Sequence, residues 1–447
     1  MKKKVWLSIC ILCSFMLLSC NVPSAKQKTT AKSVPLSQDT LGLTPDFSYE
    51  VVEQTPYILI DKEGYLPDRK KTVFVLGTDI TPEFTIRHAV TGEIIYQGVL
   101  QKVGKSSKSD KDIYMGDFTP LSANGLYEVY QEQVGYSYPF YINKMVYRTV
   151  SDEMYDKVEA YSYEMTSELC YVLSNVMLTN EIYKDTQENK QFIRKQIETL
   201  LLQQEDKTGA VCQMIQTKKN EGLDISLSAT AEFAGVLAQY YYNYKEDDPQ
   251  FALMCLQAST QAYRYIEKYR DNISTDSWYY ASTQLYRITG QYKHKTAIKE
   301  YDNFPIARRS VSDYDYTMQA DIAYMSTNFR TDILRCRTIM DQYMERAQEI
   351  SEDTAKDSFY VMKNIDTISQ TQVIQDMKLL GIVNYVLSGR EYAGIQENYI
   401  HYLFGVNEET RNRITQSYFA VRKREPMEHD ITRVSELIFI LGNVSHK

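Results

Sequence analysis

The sequence predicts a small β-sandwich followed by a large all-α domain that fits an (α/α)6 toroid. Two observations support this prediction. Between Tyr57 and Asn143, short segments rich in Val, Ile, Tyr and Phe alternate with turn residues, which is typical of half-buried strands. Beyond Val146, the apolar residues recur at a spacing of about 3.6 residues, and almost no proline interrupts them.

The first part contains seven candidate strands, each short and bounded by turn signals such as Thr91-Gly92-Glu93. They are Tyr57–Asp61, Thr72–Gly77, Phe84–Ala89, Ile94–Val103, Asp112–Phe118, Leu126–Gln131 and Ser137–Ile142. About seven short strands in about ninety residues is the pattern of an immunoglobulin-like sandwich. We therefore predict such a domain over residues 51–145.

The second part, residues 146–447, reads as roughly a dozen helices. Apolar stripes at helical spacing include the one from Phe192 to Leu201 and the one from Ala231 to Tyr241. Turn residues break the pattern at Thr208-Gly209, Asp247-Asp248-Pro249, Thr289-Gly290, Asn303-Phe304-Pro305 and Ser388-Gly389. Antiparallel helix pairs in this number fit an (α/α)6 toroid.

The sequence pattern of residues 1–20 predicts a lipoprotein signal peptide. Three lysines precede an apolar run from Val5 to Leu18, and Leu17-Leu18-Ser19-Cys20 closes it. A run this short is a signal segment, because a membrane span needs about twenty residues. The ending resembles a bacterial lipobox, which implies that Cys20 is lipidated and that the mature chain is anchored in the cell envelope, outside the cytoplasm. Residues 21–50 are polar and read as a flexible tether.

Charge and cysteine content exclude several classes of function. Removing the leader with its three lysines changes the formal net charge from −8 to −11, which argues against a nucleic-acid partner. Outside the leader and Cys20, four cysteines remain without metal-ligand spacing: Cys170, Cys212, Cys255 and Cys336. They favour buried free thiols, with one or two disulfides as the alternative. No cofactor or metal is predicted, and no calcium-binding loop is recognisable.

Four motifs in the first part resemble the N-terminal immunoglobulin-like domain of many family 9 glycoside hydrolases. Glu63-Gly64-Tyr65-Leu66-Pro67-Asp68 resembles its Gly-Tyr-Leu-Pro opening, and Thr91 to Gly98 resembles a later hairpin. The strand pair that contains Asn124-Gly125-Leu126-Tyr127 and the exit strand Ser137-Tyr138-Pro139-Phe140-Tyr141-Ile142 follow in the family's order.

Helical segments extend the resemblance to the family 9 catalytic domain. These segments are Ile197 to Gln204, Ser228 to Ala238, Asp248 to Ser259, Ser282 to Gly290 and Tyr399 to Asn407. The resemblance implies an (α/α)6 toroid, a β-glycan substrate, and two carboxylic acids that act as acid and base, about 6.5 to 9.5 Å apart in inverting enzymes.

The resemblance carries over one catalytic candidate, Glu436, in the position of the family's acid. The family's base lies in an Asp-Ala-Gly-Asp motif, and the corresponding interval from Tyr163 to Gln191 lacks it. Carboxylates in or near predicted loops that could replace the base are Asp224, Asp276, Asp313, Asp315 and Asp321. Each of them is more typical of a solvated loop acid.

Aromatic residues offer a possible platform for sugar rings, because they present large apolar faces with a polar edge. The candidates for substrate binding are Trp278 together with Asp313, Asp315 and Tyr316, which belong to the Ser312-Asp313-Tyr314-Asp315-Tyr316 cluster. Most of the 38 tyrosines are interpreted as packing residues.

These observations predict a surface-anchored lipoprotein that acts on or binds plant-type or other β-glycans, and the missing base favours a pseudoenzyme. An active, divergent endo-β-glucanase of the inverting type is the alternative, with Glu436 as acid. A third hypothesis is a structural envelope protein that binds no glycan, because fold alone does not determine function.

Overall fold

The computed structural model of the chain describes residues 57–183, 189–217, 224–303, 314–361, 370–387, 391–408 and 431–445. The predicted signal peptide, Cys20 and the predicted tether lie outside these residues. The chain divides into two compact units. The first comprises Met1–Val146, Asp357–Val361 and Ile382–Lys423, and the second comprises Tyr147–Lys356, Met362–Gly381 and Arg424–Lys447.

The β-module of the first unit contains eight strands: β1 (Ile58–Leu59), β2 (Thr72–Gly77), β3 (Glu83–His88), β4 (Ile94–Lys105), β5 (Asp112–Asp117), β6 (Gly125–Gln131), β7 (Gly135–Tyr136) and β8 (Phe140–Ile142). All pair antiparallel, in the order β1-β2-β5-β4-β3-β6-β7, with β8 on β6. Every predicted strand overlaps an observed one. The additional strand β7 is only two residues long.

Strand β4 links the two halves of the sandwich. Its first half, from Ile94 to Val99, pairs with β3. Its second half, from Leu100 to Lys105, pairs with β5, with a register shift between Lys102 and Gly104. A bulge of this kind bends a long strand and lets it serve two sheets. The inward positions of both halves, including Val73 and Phe84, form one buried core.

Tyr65 organises this core. Its ring lies edge-on to Phe118 and Phe140, at centroid distances of 5.1 and 5.5 Å. The buried hydroxyl donates to the carbonyl of Thr72 at 2.9 Å and accepts from the N–H of Asp61 at 2.9 Å. Because both polar functions of the hydroxyl are satisfied, the ring can be buried without an energetic penalty.

Twelve helices follow in the described chain: α1 (Val146–Ala160), α2 (Thr166–Tyr183), α3 (Lys190–Leu202), α4 (Leu227–Tyr244), α5 (Pro249–Ile266), α6 (Thr275–Thr289), α7 (Tyr292–Asn303), α8 (Thr317–Met325), α9 (Ile333–Thr354), α10 (Gln370–Leu387), α11 (Ala393–Leu403) and α12 (Ile431–Ser445). The predicted breaks at Thr208-Gly209, Asp247-Asp248-Pro249 and Thr289-Gly290 fall between helices or at their ends, whereas Phe304-Pro305 and Ser388-Gly389 lie outside the described residues. At Gly290 the backbone turns left-handed, with φ of 63°, and ends α6.

Contacts in the second unit follow an alternating pattern. Helix α2 packs on α4, α4 on α6 and α6 on α8, while α12 returns to α2. Small residues on α4 allow a close approach, since a Cβ added at Gly235 would lie 2.3 Å from the ring of Tyr280 on α6. Even-numbered helices therefore form the inner layer. This arrangement confirms the predicted fold class, a β-sandwich followed by a helical domain.

The four cysteines outside the leader and Cys20 are free thiols, as favoured by the sequence, and only Cys336 is not fully buried. None of the described helices is long and apolar enough to cross a membrane. Within the described ranges, no group of three or more His, Cys, Asp or Glu residues is arranged to hold a metal ion.

A pH prediction follows from His294 on α7. Its ring is buried against Tyr263, 4.5 Å away, and burial lowers the pKa of the imidazole to about 3. The unfolded chain, with a pKa near 6.5, binds more protons in this range, so stability is lost as the pH falls from about 6.5 to about 3. Over this pH range we expect the unfolding free energy of the wild type to fall by on the order of 3 kcal/mol more than that of His294→Phe. Urea unfolding of both proteins between these pH values measures this difference. The same pH dependence of the unfolding free energy in the variant and the wild type would contradict the role of His294.

Candidate functional site

Four helices, α2, α8, α10 and α12, bring a set of polar side chains together in the interior of the second unit. We call this set the inner cluster, and all but one of its members are buried. Its members are Tyr171 and Asn175 from α2, Gln319 from α8, Gln375 and Lys378 from α10, and Ser435 and Glu436 from α12. Gln375 is partly buried.

Glu436 lies at the centre of the inner cluster and is 2% exposed. Its Oε1 atom accepts a short hydrogen bond from the hydroxyl of Tyr171 and a second one from Nε2 of Gln375 at 2.6 Å. Burial and the charge of Glu436 hold the pKa of Tyr171 well above its usual value. The tyrosine therefore stays protonated and remains a donor to Glu436.

Lys378 supplies the opposite charge. Its Nζ atom, fully buried, lies 3.9 Å from Oε1 of Glu436 and donates to Oδ1 of Asn175 at 2.7 Å. Burial lowers the pKa of Lys378, while the negative charges of Glu436 and Asp315 oppose this shift. A buried ammonium needs such compensation, because an unpaired charge in the interior costs several kcal/mol.

Asn175 connects the charged pair to the neighbouring helices. Its Oδ1 also accepts from Gln319 at 3.0 Å, and its Nδ2 donates to Oγ of Ser435 at 3.1 Å. The hydroxyl of Ser435 in turn donates to the carbonyl of Thr432 at 2.6 Å. Side chains from α2, α8, α10 and α12 are thus joined in one hydrogen-bonded network, which fixes the orientation of each member.

Two predicted site residues lie beside this network. Asp315 is exposed, and its negative charge acts on both Lys378 and Tyr171. Tyr316 is fully buried, with its ring stacked on Tyr280 at 4.7 Å and edge-on to Tyr171 at 5.2 Å. The ring of Tyr316 is therefore a packing surface. Asp313, the third predicted member of the segment, lies outside the described residues.

Trp278 does not have the position that a sugar platform requires. It is 8% exposed, and its ring stacks on Tyr263 with centroids 5.0 Å apart and planes 22° apart. The prediction of an open stacking surface at Trp278 does not fit this geometry, because the face is used in packing. Tyr314, which the sequence analysis placed only in a cluster, is partly exposed and stacks on Tyr171 at 5.1 Å.

The other carboxylates considered as replacement bases have different surroundings. Asp321 is buried and accepts from the hydroxyls of Tyr279 at 2.6 Å and Tyr343 at 2.9 Å. Asp276 is buried and accepts from the backbone N–H of Tyr316 at 3.3 Å. Asp224 is exposed. Of these candidates, Asp315 is the one whose charge acts on two direct partners of Glu436.

Sequence reasoning missed Tyr171, Asn175 and Lys378. A signal for Lys378 was present, because this single lysine interrupts the apolar helical run Met377 to Val383. A charged residue within a buried helix face indicates a paired or functional group. Its partner was not deducible, since Glu436 lies 58 positions further along the chain.

The buried pair predicts a marked loss of stability on Lys378→Met. This variant leaves Glu436 without its ammonium, so we expect unfolding free energy to fall by about 3–5 kcal/mol. The double variant Lys378→Met/Glu436→Leu should recover most of that loss. Lys356→Met, which breaks an exposed pair with Asp353, serves as the matched control and should change little. Equal losses in the single and double variants, measured by denaturant unfolding, would contradict the pairing.

Comparison with known proteins identifies two family models in this chain. The cellulase N-terminal Ig-like domain matches residues 53–136, and glycosyl hydrolase family 9 matches residues 145–420. No curated protein matches the chain.

Solved structures show the same fold at low sequence identity. A metagenome-derived glycoside hydrolase family 9 endoglucanase is 16% identical, with a TM-score of 0.70, over 87% of this chain and 99% of its own. A family 9 protein from Bacteroides ovatus is 14% identical, with a TM-score of 0.71, over 87% and 98%. AaCel9A, solved in complex with cellobiose-like isofagomine, is 15% identical, with a TM-score of 0.67, over 87% and 99%. With a family model covering more than half of its length, this chain belongs to glycoside hydrolase family 9 and carries the N-terminal immunoglobulin-like domain of cellulases.

Proposed function

We propose that this protein is a lipid-anchored protein of the cell envelope that binds β-glycan and does not hydrolyse it at an enzymatic rate. The observation that carries the proposal is the environment of Glu436. Tyr171 and Gln375 both donate to its Oε1 atom, and the ammonium of Lys378 lies 3.9 Å from the same oxygen. Donors and a cation around a carboxyl group stabilise its ionised form.

An ionised Glu436 is unsuited to the role of general acid. A general acid must hold a proton at the working pH and direct it at the leaving oxygen. In glycosidases the acid achieves this through surroundings that favour the neutral form. At Glu436 burial also favours the neutral form, but the two donors on Oε1 and the ammonium of Lys378 oppose it and favour the charged form.

The residues that face Glu436 support the loss of hydrolysis. Helix α2 presents a phenol and an amide to this region, from Tyr171 and Asn175. The interval from Tyr163 to Gln191, in which the family's Asp-Ala-Gly-Asp motif is expected, contains no such sequence. A water molecule near Glu436 would need a base in order to attack a sugar, and neither side chain serves as one.

Binding of a β-glycan is supported by family membership and by the chemistry of the site. AaCel9A was solved with a cellobiose-like ligand. Tyr314 is partly exposed beside the inner cluster and stacks on Tyr171. Aromatic faces next to hydroxyl and amide groups suit a sugar, whose rings have apolar faces and polar edges. Anchoring rests on the predicted lipidation of Cys20.

The alternative is an active, divergent endo-β-glucanase with Asp315 as base. One observation favours it: the negative charge of Asp315 acts on Lys378 and Tyr171, the two partners of Glu436. Asp315 is exposed and could therefore reach water. The two functions give opposite results in a hydrolysis assay.

The first test is the release of reducing ends from soluble β-glucans and xyloglucan by the chain without leader and lipid anchor, residues 21–447. We expect no release by the wild type above that of Glu436→Gln and Asp315→Asn, with all three proteins folded by circular dichroism. Turnover by the wild type that both substitutions abolish would establish the active enzyme and overturn the proposal.

Glycan binding is tested by affinity gel electrophoresis with the same polysaccharides. We expect the wild type to be retarded and Tyr314→Ala to lose roughly tenfold in affinity, as stacking contacts of this kind contribute on the order of 1 kcal/mol or more. Tyr269→Ala is the matched control, because Tyr269 is also partly exposed, at 42%, but lies in the turn after α5. If no β-glycan retards the wild type, the proposed glycan binding is wrong, and the hypothesis of a purely structural envelope protein is favoured.

A further inference from the structure

Four large apolar side chains are exposed together where helices α6 and α8 end and helices α7 and α9 begin. They form what we call the apolar rim, which consists of Tyr292 at 79% exposure, Phe329 at 41%, Ile333 at 79% and Leu334 at 75%. Contiguous exposed apolar side chains mark interaction sites.

Contacts within the second unit hold the rim together. The ring of Phe329 covers Gly290, where an added Cβ would lie 2.5 Å from it, and Tyr292 follows two positions later. The carbonyl of Arg330 accepts from the hydroxyl of Tyr286 at 2.7 Å and from Nζ of Lys295 at 2.9 Å. Hydrogen bonds to Arg330 thus hold the segment before α9 against the end of α6 and the start of α7.

The first turn of α9 fixes the two aliphatic residues at the surface. Oδ1 of Asp332 accepts from the backbone N–H groups of Leu334 and Arg335 at 2.9 and 3.4 Å, which caps the helix. The buried face of α9 starts only at Ile339. Ile333 and Leu334 are therefore presented to solvent by a well-formed helix end, and they take no part in the core.

The rim is bordered by basic residues in a protein that is otherwise acidic. Lys295 and Arg330 make no ion pair within the described part of the chain, whereas Lys293 pairs with Glu267 at 3.2 Å. The mature chain carries a formal charge of −11. The exposed carboxylate of Asp332 offsets one of these two cations, which leaves one positive charge among Lys295, Arg330 and Asp332. An anionic surface would repel most of this molecule, so it can be approached at this patch.

We propose that the apolar rim rests on the anionic phospholipid surface of the membrane in which the chain is anchored. Exposed aliphatic residues, a tyrosine and flanking cations form the composition of segments that insert at the headgroup level. A protein partner is less well matched, because a standard interface uses about 20–30 residues a side and the rim offers four apolar side chains.

The inference rests on the lipid anchor of the proposed function for its biological setting. The tether predicted over residues 21–50 is polar, and a flexible chain of that length would have a root-mean-square span of roughly 27–33 Å. Such a tether raises the local concentration of membrane around the folded chain, so even a weak contact at the rim is occupied.

The test uses the mature chain with Cys20→Ala and thus without lipid, in flotation with vesicles of equal parts phosphatidylcholine and phosphatidylglycerol. We expect binding that is lost in vesicles of phosphatidylcholine alone. Ile333→Ser/Leu334→Ser should weaken binding about tenfold, and Lys295→Gln/Arg330→Gln should weaken it about fivefold and reduce its dependence on salt.

The matched control is Leu253→Ser/Met254→Ser, which removes two adjacent exposed apolar residues from α5, at 50% and 45% exposure. This control should bind like the wild type. Absence of wild-type binding to anionic vesicles, or an equal loss in the control, would overturn the inference. So would self-association of the wild type in sedimentation that Ile333→Ser/Leu334→Ser abolishes, because the rim would then contact a second copy. Neither glycan nor lipidation is needed, so failure here leaves the proposed function untouched.

Discussion

The buried ion pair between Lys378 and Glu436 is the constraint on which the chemistry of this protein depends. A carboxylate and an ammonium that are both removed from water must compensate each other, and their remaining hydrogen-bonding groups must be satisfied. Tyr171 and Gln375 donate to Oε1 of Glu436, and Asn175 accepts from the ammonium of Lys378. We infer that this arrangement stabilises a charged glutamate at the position predicted for the family's acid.

We infer that the hydrogen bonds that stabilise the helix arrangement also oppose catalysis by Glu436. Asn175 and Ser435 extend the pair into a network that joins inner helices, so the polar interior contributes to the specification of the helix arrangement. An active site needs a carboxylic acid free to give up a proton, and the network requires the same group to remain an acceptor. Family membership establishes the fold, and the change of role that we propose rests on the side chains of the inner cluster.

Much of the fold was predictable, because alternation and turn chemistry are local properties. The segment Thr72–Gly77 was assigned with the observed bounds, and Gly290 ended a helix as expected. Strand β7 was missed, since two residues carry no periodic signal. At the site, Glu436 was singled out through its motif and stays a predicted acid, and Asp315 lies where its charge acts on Lys378 and Tyr171. Trp278 failed as a platform because exposure depends on Tyr263, a contact that spacing does not reveal. The pairing of Lys378 with Glu436 was hidden for the same reason.

The protonation state of Glu436 tests the central claim most directly. Carboxyl carbon-13 NMR of glutamate-labelled protein, with Glu436→Gln to assign the resonance, reports it between about pH 5 and pH 8, the range in which a general acid must hold its proton. The account predicts a carboxylate signal throughout this range. A signal that titrates within it, or that remains protonated, would contradict the account and restore Glu436 as a working acid.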